Sequence, residues 1–445
     1  MEKVAYCPAG HSSNDFLYSD NKNFIYYGNC SLCTKERFIQ EFKTWSSGNA
    51  NIDKIIQESQ VKSIYEMFHW IPYDNFQNIE HIADGGHGSV YSAKIKNGIK
   101  WQWNFIKQDW EYRFSSNIAL KEIKNSRYDI AEFLKMIKIV NTYEYIANYY
   151  GISKNPSTQN FIFVMDLFND DLHNYLTKTF WNLMWEEKLE ILVSVTTGLE
   201  ILHAKNLVHC ALHSGNILNL ASRGPNIYLD LCTLEDDLIL NANEKNNKIY
   251  GSIPYIPPEV LRGSKFTMEG DIYSFGGIMY EVITAQRPFA DQAHDTYLMI
   301  DICNGVRPKV PDFMLNWIPK WYLDLMYRCW SDDPSKRPTA DELYNLFREI
   351  SNNLFYYMMD NDVMRQFKIA DENQNNTSKS QKQELFELFS HSNKLHPQSC
   401  YISRCIHTFH GMHDLLEEIK SGKSSDPNLL SIKFNTHNID EEAEI

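Results

Sequence analysis

The hydrophobic period of this chain changes once, and that change limits the folds open to it. From Phe76 onward, "NIEHIADGGHGSVYSAKI" alternates apolar and polar residues around a glycine-rich turn, as two antiparallel strands do. Further strands read at "IALKEI", "YGISK" and "FIFVMDL", with a helix over 127–139 between them. After these the apolar spacing is mostly helical up to about residue 350. A strand-rich part followed by a helix-rich part predicts a two-lobed α+β domain.

The flanks read differently. Residues 1–34 are a short aromatic and polar segment, and 35–77 form a helical linker with Ile52, Ile55 and Ile56 on one face and a break at Pro72. Residues 96–117 form a polar and aromatic insertion. Residues 351–445 read as a low-complexity linker and tail, with "DENQNNTSKSQKQ" expected to be disordered. A formal charge of −14 argues against a general nucleic-acid or anionic-membrane partner. No run of 18 apolar residues suggests a membrane span, and the start lacks the apolar core of a signal peptide. Nine scattered cysteines fit a reducing compartment, so the expected location is cytoplasmic.

Several stretches carry chemistry. "IADGGHGSV" is either a plain hairpin turn or a loop whose backbone N–H groups approach phosphates unhindered by side chains. Lys121 ends an apolar strand about 30 residues later. Then come, in order, "HCALHSGNIL", "YLDLCTLED", "YGSIPYIPPEVLRG", "DIYSFGGIMYEVITAQRPF" and "RCWSDDPSKRPTADEL".

This ordered set resembles the eukaryotic protein-kinase domain, closest to its tyrosine-kinase-like group, over about residues 78–350. The resemblance implies a bilobal kinase fold, with an antiparallel β N-lobe at 78–168 and a mainly helical C-lobe at 169–350. It also implies binding of ATP with Mg²⁺. Ala83, Gly85 and Gly88 match the three glycines of the phosphate-covering loop. Val90, Ala119 and Leu218 match the adenine pocket, Met165 the gatekeeper, and Asp166, Leu167 and Phe168 the hinge. Lys121 matches the phosphate-pairing lysine, and Asn216 and Asp230 the two magnesium ligands. Glu259 and Arg337 match a buried ion pair, Asp271 the residue that holds the catalytic-loop backbone, and Trp330 a packing residue.

The same alignment shows losses. Ala211 stands where the family has its catalytic aspartate, and Cys210 where it has a phosphate-gripping arginine. Met136 replaces the glutamate that pairs with the lysine, although Glu132 lies one turn earlier on the same helix face. Cys232 replaces the glycine of Asp-Phe-Gly, and His213 a lysine near the γ-phosphate. The loss of a general base is worth about 10²–10⁴ in rate. The pattern fits a pseudokinase that binds ATP and acts as a signalling scaffold or allosteric regulator through unidentified protein partners. A weakly active protein kinase, or an interaction module using the N-terminal cysteines and the tail, are the alternatives.

Cys7, His11, Cys30 and Cys33 have the spacing Cys-x₃-His-x₁₈-Cys-x₂-Cys, open either as a zinc-ribbon-like site or as an incidental set. In the tail, "HDLLEEIKS" is suited to dock on a partner or back on the domain.

Overall fold

A computed structural model describes residues 6–12, 27–62, 67–86, 88–113, 117–124, 130–141, 143–219, 227–229, 247–355, 362–378, 380–383, 396–413 and 415–429. The chain divides into two compact units. One holds Met1–Asp171, Thr197–Asn206 and Asn216–Leu240; the other holds Leu172–Thr196, Leu207–Gly215 and Asn241–Ile445.

The first unit is sheet-rich. Helices α1 (Ser31–Glu41) and α2 (Ala50–Lys62) and the short β1 (His69–Trp70) lead into β2 (Phe76–Asp84) and β3 (Gly88–Ile95). A hairpin of β4 (Ile99–Asn104) and β5 (Asp109–Arg113) precedes β6 (Ile118–Ile123), α3 (Ile130–Val140), β7 (Tyr149–Lys154) and β8 (Phe161–Asp166). The main sheet runs β1-β7-β8-β6-β3-β2, antiparallel except for β1 beside β7. Strand alternation sorts its two faces. Ile118, Leu120, Ile162 and Val164 are buried with Ile71, Phe76 and Ile99, so Ala119, Lys121, Phe163 and Met165 point to the opposite face. There Phe133 of α3 meets Phe163 edge-on at 4.7 Å. β9 (Asp170–Asp171), β10 (Ile217–Asn219) and β11 (Ile227–Leu229) form a second, small sheet in this unit.

The second unit is mainly helical. It is built from α4 (Leu172–Thr179), α5 (Trp185–Ala204, counted here to Thr196), β12 (Lys248–Gly251), α6 (Pro258–Leu261) and α7 (Met268–Thr284). α8 (Thr296–Cys303), α9 (Lys320–Cys329), α10 (Ala340–Phe355), α11 (Asp362–Asn376), β13 (Arg404–His407) and α12 (Leu416–Lys420) complete it. α7 is buried from Gly270 to Thr284, as a helix apolar nearly all round must be. Thr267 caps its start by accepting a hydrogen bond from the Gly270 N–H, and the chain leaves it at Ala285 with φ of 53°. Trp330 packs over Gly276, where an added Cβ would come within 2.7 Å of the indole.

Two stretches differ from expectation. Within the insertion at 96–117, β4 and β5 pair as a hairpin whose Trp103 and Trp110 stack edge-on at 5.7 Å. Residues 371–376, read as disordered linker, complete α11, which buries Met364, Phe367, Ala370 and Gln374. Burial of that face outweighs the polar composition of the helix end. Among the described residues no helix is long and apolar enough to cross a membrane.

Candidate active site

In the sheet-rich unit, register brings the nucleotide-assigned residues together. Ala83 pairs with Val90, Val90 with Lys121, and Ala119 with Met165. Because paired residues share a face, all five lie on the side of the sheet that carries α3. The glycine-rich turn is closed by bonds from the Gly85 N–H to the Gly88 carbonyl at 2.7 Å and back at 3.4 Å. A Cβ at Gly88 would sit 1.9 Å from the Glu122 carbonyl oxygen, so the approach of β3 to β6 admits only glycine there. Next to this turn, the Asp84 carboxylate accepts a hydrogen bond from Ser89 and meets Lys124 and His81, each at 3.3 Å. The Ser89 bond first, then these two partners, hold its pKa down at about 2.

Met165 is buried, and Asp166, matched to the hinge by the resemblance, accepts a hydrogen bond from the Tyr150 hydroxyl. Burial pushes the Asp166 carboxyl up from its ordinary range. Phe168 packs tilted against Tyr228 at 5.5 Å, and Leu218 pairs with Tyr228 and with Asp171 in the small sheet. Asn216 is half-buried just before β10. On α3, Met136 is buried on the apolar face, while Glu132 is half-buried and paired with Lys135. Asp230 and Cys232 lie outside the described residues.

In the helical unit, the Asp271 carboxylate accepts the N–H groups of His209 at 2.8 Å and Cys210 at 3.0 Å. Cys210 is buried and left-handed, with φ of 63°. The Ala211 N–H turns back onto the His209 carbonyl at 2.8 Å, and its methyl group is buried. His213 Nδ1 accepts the Gly215 N–H at 3.2 Å, so Nε2 carries the hydrogen and donates it to Ser403 Oγ, also at 3.2 Å. Arg337 grips Glu259 through two parallel bonds of 2.7 and 2.9 Å and also donates to the carbonyls of Glu269 and Ser331. Its side chain is fully buried, so loss of Glu259 would leave an uncompensated charge in the interior.

Residues 76–347 match the family model described as protein tyrosine and serine/threonine kinase. The chain belongs to the protein kinase family. Its relatives are kinases of the tyrosine-kinase-like type. One, the "Probable serine/threonine-protein kinase roco5" of Dictyostelium discoideum, is 27% identical over 66% of this chain and 10% of that protein. Receptor-interacting serine/threonine-protein kinase 4 of Homo sapiens is 28% identical over 59% of this chain and 30% of its own length. Human mitogen-activated protein kinase kinase kinase 7 is 30% identical over 41% of this chain and 29% of its own length. The chain thus spans less than a third of each of these relatives.

The sequence left two docking modes open for the tail, and in the helical unit the C-terminal segment packs back on the domain. β13 pairs antiparallel with β12, from Lys248 opposite His407 to Gly251 opposite Arg404. Thr296 donates from both its N–H and hydroxyl to Asp426, and the Tyr297 hydroxyl donates to the Ile419 carbonyl. The stretch "HDLLEEIKS", except the undescribed Asp414, therefore lies against the domain. Four-residue strands carry too little period to be read in advance.

Proposed function

We propose that this kinase-fold protein binds ATP with Mg²⁺ inside the cell and acts as a scaffold or allosteric regulator, with little or no phosphotransfer. The observation that carries this reading is the buried Ala211 methyl at the position of the family's catalytic acid, in a loop whose two preceding N–H groups are held by Asp271. An alanine neither orients a substrate hydroxyl nor takes its proton. The Ser403 hydroxyl, bonded to His213 two residues further on, adds a second obstacle for an incoming protein substrate.

The sheet face suits the nucleotide. Small and apolar Ala83, Val90, Ala119 and Met165 offer a surface for adenine, and Lys121 in the same register supplies the cation for its phosphates. Asn216 and Asp230 would hold magnesium, which neutralises phosphate charge when bound. Zinc belongs to the same proposal, at Cys7, His11, Cys30 and Cys33.

A thermal-shift titration of the full chain tests the reading. ATP with Mg²⁺ should stabilise the wild type, Lys121→Ala should abolish the shift, and labelled phosphate should stay on ATP. No shift at millimolar ATP counts against nucleotide binding; sustained transfer lost on Lys121→Ala counts against the pseudokinase. Retention of Lys121 and Asn216 favours a second reading, a weak kinase. A base loss of about 10³ would lower a typical 1–100 s⁻¹ turnover to roughly 10⁻³–10⁻¹ s⁻¹.

A further inference from the structure

Four side chains that play no part in nucleotide binding converge in the sheet-rich unit. Cys7 Sγ lies 3.4 Å from His11 Nδ1 and 3.6 Å from Cys33 Sγ. The same imidazole nitrogen is 3.5 Å from both Cys30 Sγ and Cys33 Sγ. Bonds of about 2.3 Å to sulfur and about 2.0–2.1 Å to nitrogen give a tetrahedron with edges of roughly 3.5–3.8 Å, close to this spacing. The three thiols are buried, and the Cys33 N–H donates to Cys30 Sγ at 3.5 Å at the start of α1. His11 turns its other nitrogen to the Glu36 carboxylate at 3.4 Å, which fixes the ring with Nδ1 toward the sulfurs. Three buried thiolates and a half-buried imidazole suit a structural zinc ion rather than calcium or magnesium.

The cluster is built into the rest of the unit. Trp103 and Phe105 pack against the cysteines, and the Trp103 N–H donates to Thr34 Oγ1 at 3.0 Å. The Phe105 N–H donates to the Gly28 carbonyl at 2.8 Å. Gly28 has φ of +90°, and a Cβ there would lie 2.3 Å from Asn104 Oδ1, so the segment and the hairpin tip touch backbone to side chain. α1 packs on α2 and α2 packs on α3, where Lys138 pairs with Glu58 at 3.6 Å. α3 in turn rests on Phe163, the cross-strand neighbour of Lys121.

We propose that Cys7, His11, Cys30 and Cys33 bind one zinc ion, and that the ion sets, through α1 and α2, how firmly α3 is seated on the sheet face that carries Lys121. Zinc enters as the dication, and the protons of the three thiols leave to solvent. The functional weight of the coupling rests on the nucleotide reading of that face; the metal site does not.

The test uses the full chain and needs no nucleotide. Elemental analysis should find one zinc per chain. The count should fall to zero in the Cys30→Ser, Cys33→Ser variant and persist in His11→Cys, which keeps four ligands. Another metal in place of zinc, no metal after exposure to zinc, or full retention by the double serine variant overturns the site. Hydrogen exchange before and after chelation then tests the coupling. Amides of residues 130–140 should exchange about tenfold faster without zinc, while those of α7 stay unchanged. Unchanged exchange in α3 after proven zinc loss overturns the coupling, as does loss of protection throughout both helices. A failed ATP titration with both metal results intact would fault the nucleotide reading alone.

Discussion

Cys210 holds a left-handed backbone with φ of 63°, a conformation that costs a non-glycine residue about 1–2 kcal/mol. Asp271 offsets that strain, since its two carboxylate oxygens take the N–H groups of His209 and Cys210, the two that lead into the kink. Asp271→Asn turns one acceptor into a donor facing a buried N–H. It should lower unfolding free energy by about 2–4 kcal/mol in urea titration, and a loss under about 0.5 kcal/mol would show that the loop is held by other means. Asp84 matters in the opposite sense, because its carboxylate stays ionised down to a pH of about 2 beside the glycine-rich turn. Asp84→Asn should tighten ATP binding a few-fold at low salt, with the gain shrinking as salt rises. Equal affinities across the salt series would place the charge out of reach of the phosphates. The glycines and Lys121 could be read from the sequence because a strand-turn-strand pattern is local. The partners of Asp84, and the bond from His213 to Ser403 190 positions away, could not.

Elements were legible where they bury a face of their own. α2 shows Ile52, Ile55 and Ile56 at helical spacing, and all three are buried. β4 and β5 escaped notice because, Ile99 apart, their apolar residues are tryptophans and a tyrosine set among polar and charged residues, packed against α1 and the cysteines. α11 escaped for a related reason. Its asparagine-rich end looks solvated, yet Gln374 takes a bond from Lys188 of α5 at 3.0 Å, and Asp371 takes one from the Trp185 N–H at 3.1 Å. Burial first, against the pull of Asp371 and Glu187, lowers the Lys188 pKa from 10.5 to about 8. Between these two values the unfolded chain binds the extra proton, so this lysine makes the fold more stable as pH rises from about 8 to about 10.5. Lys188→Met should remove that slope. The stability difference between variant and wild type should shift by on the order of 3 kcal/mol across the window, measured by urea unfolding. A difference that stays flat with pH would mean that Lys188 is not buried as a cation.

At the scale of the whole molecule, the family is legible because seven motifs stand in order, whereas the segments before and after them carry no such ordered set. The C-terminal segment is held by β13, where Ile406 is fully buried opposite Ile249. Ile406→Pro removes a ladder N–H and the buried side chain together. It should make residues 396–429 the first site of cleavage in limited proteolysis, with at least tenfold faster nicking. Nicking that begins elsewhere at an unchanged rate would show that the ladder contributes little.

That ladder also has a cost in time. Lys248 finds His407 only across a long stretch of intervening chain. At about 5–20 residues per second, a ribosome needs roughly 8–30 s to add the ~150 residues between the two strands. Throughout that interval β12 is an unpaired edge on a largely synthesised domain, open to β-strands of other nascent chains. Prematurely terminated copies would keep that edge for their lifetime, and so should be the fraction of this protein that chaperones hold and proteases remove.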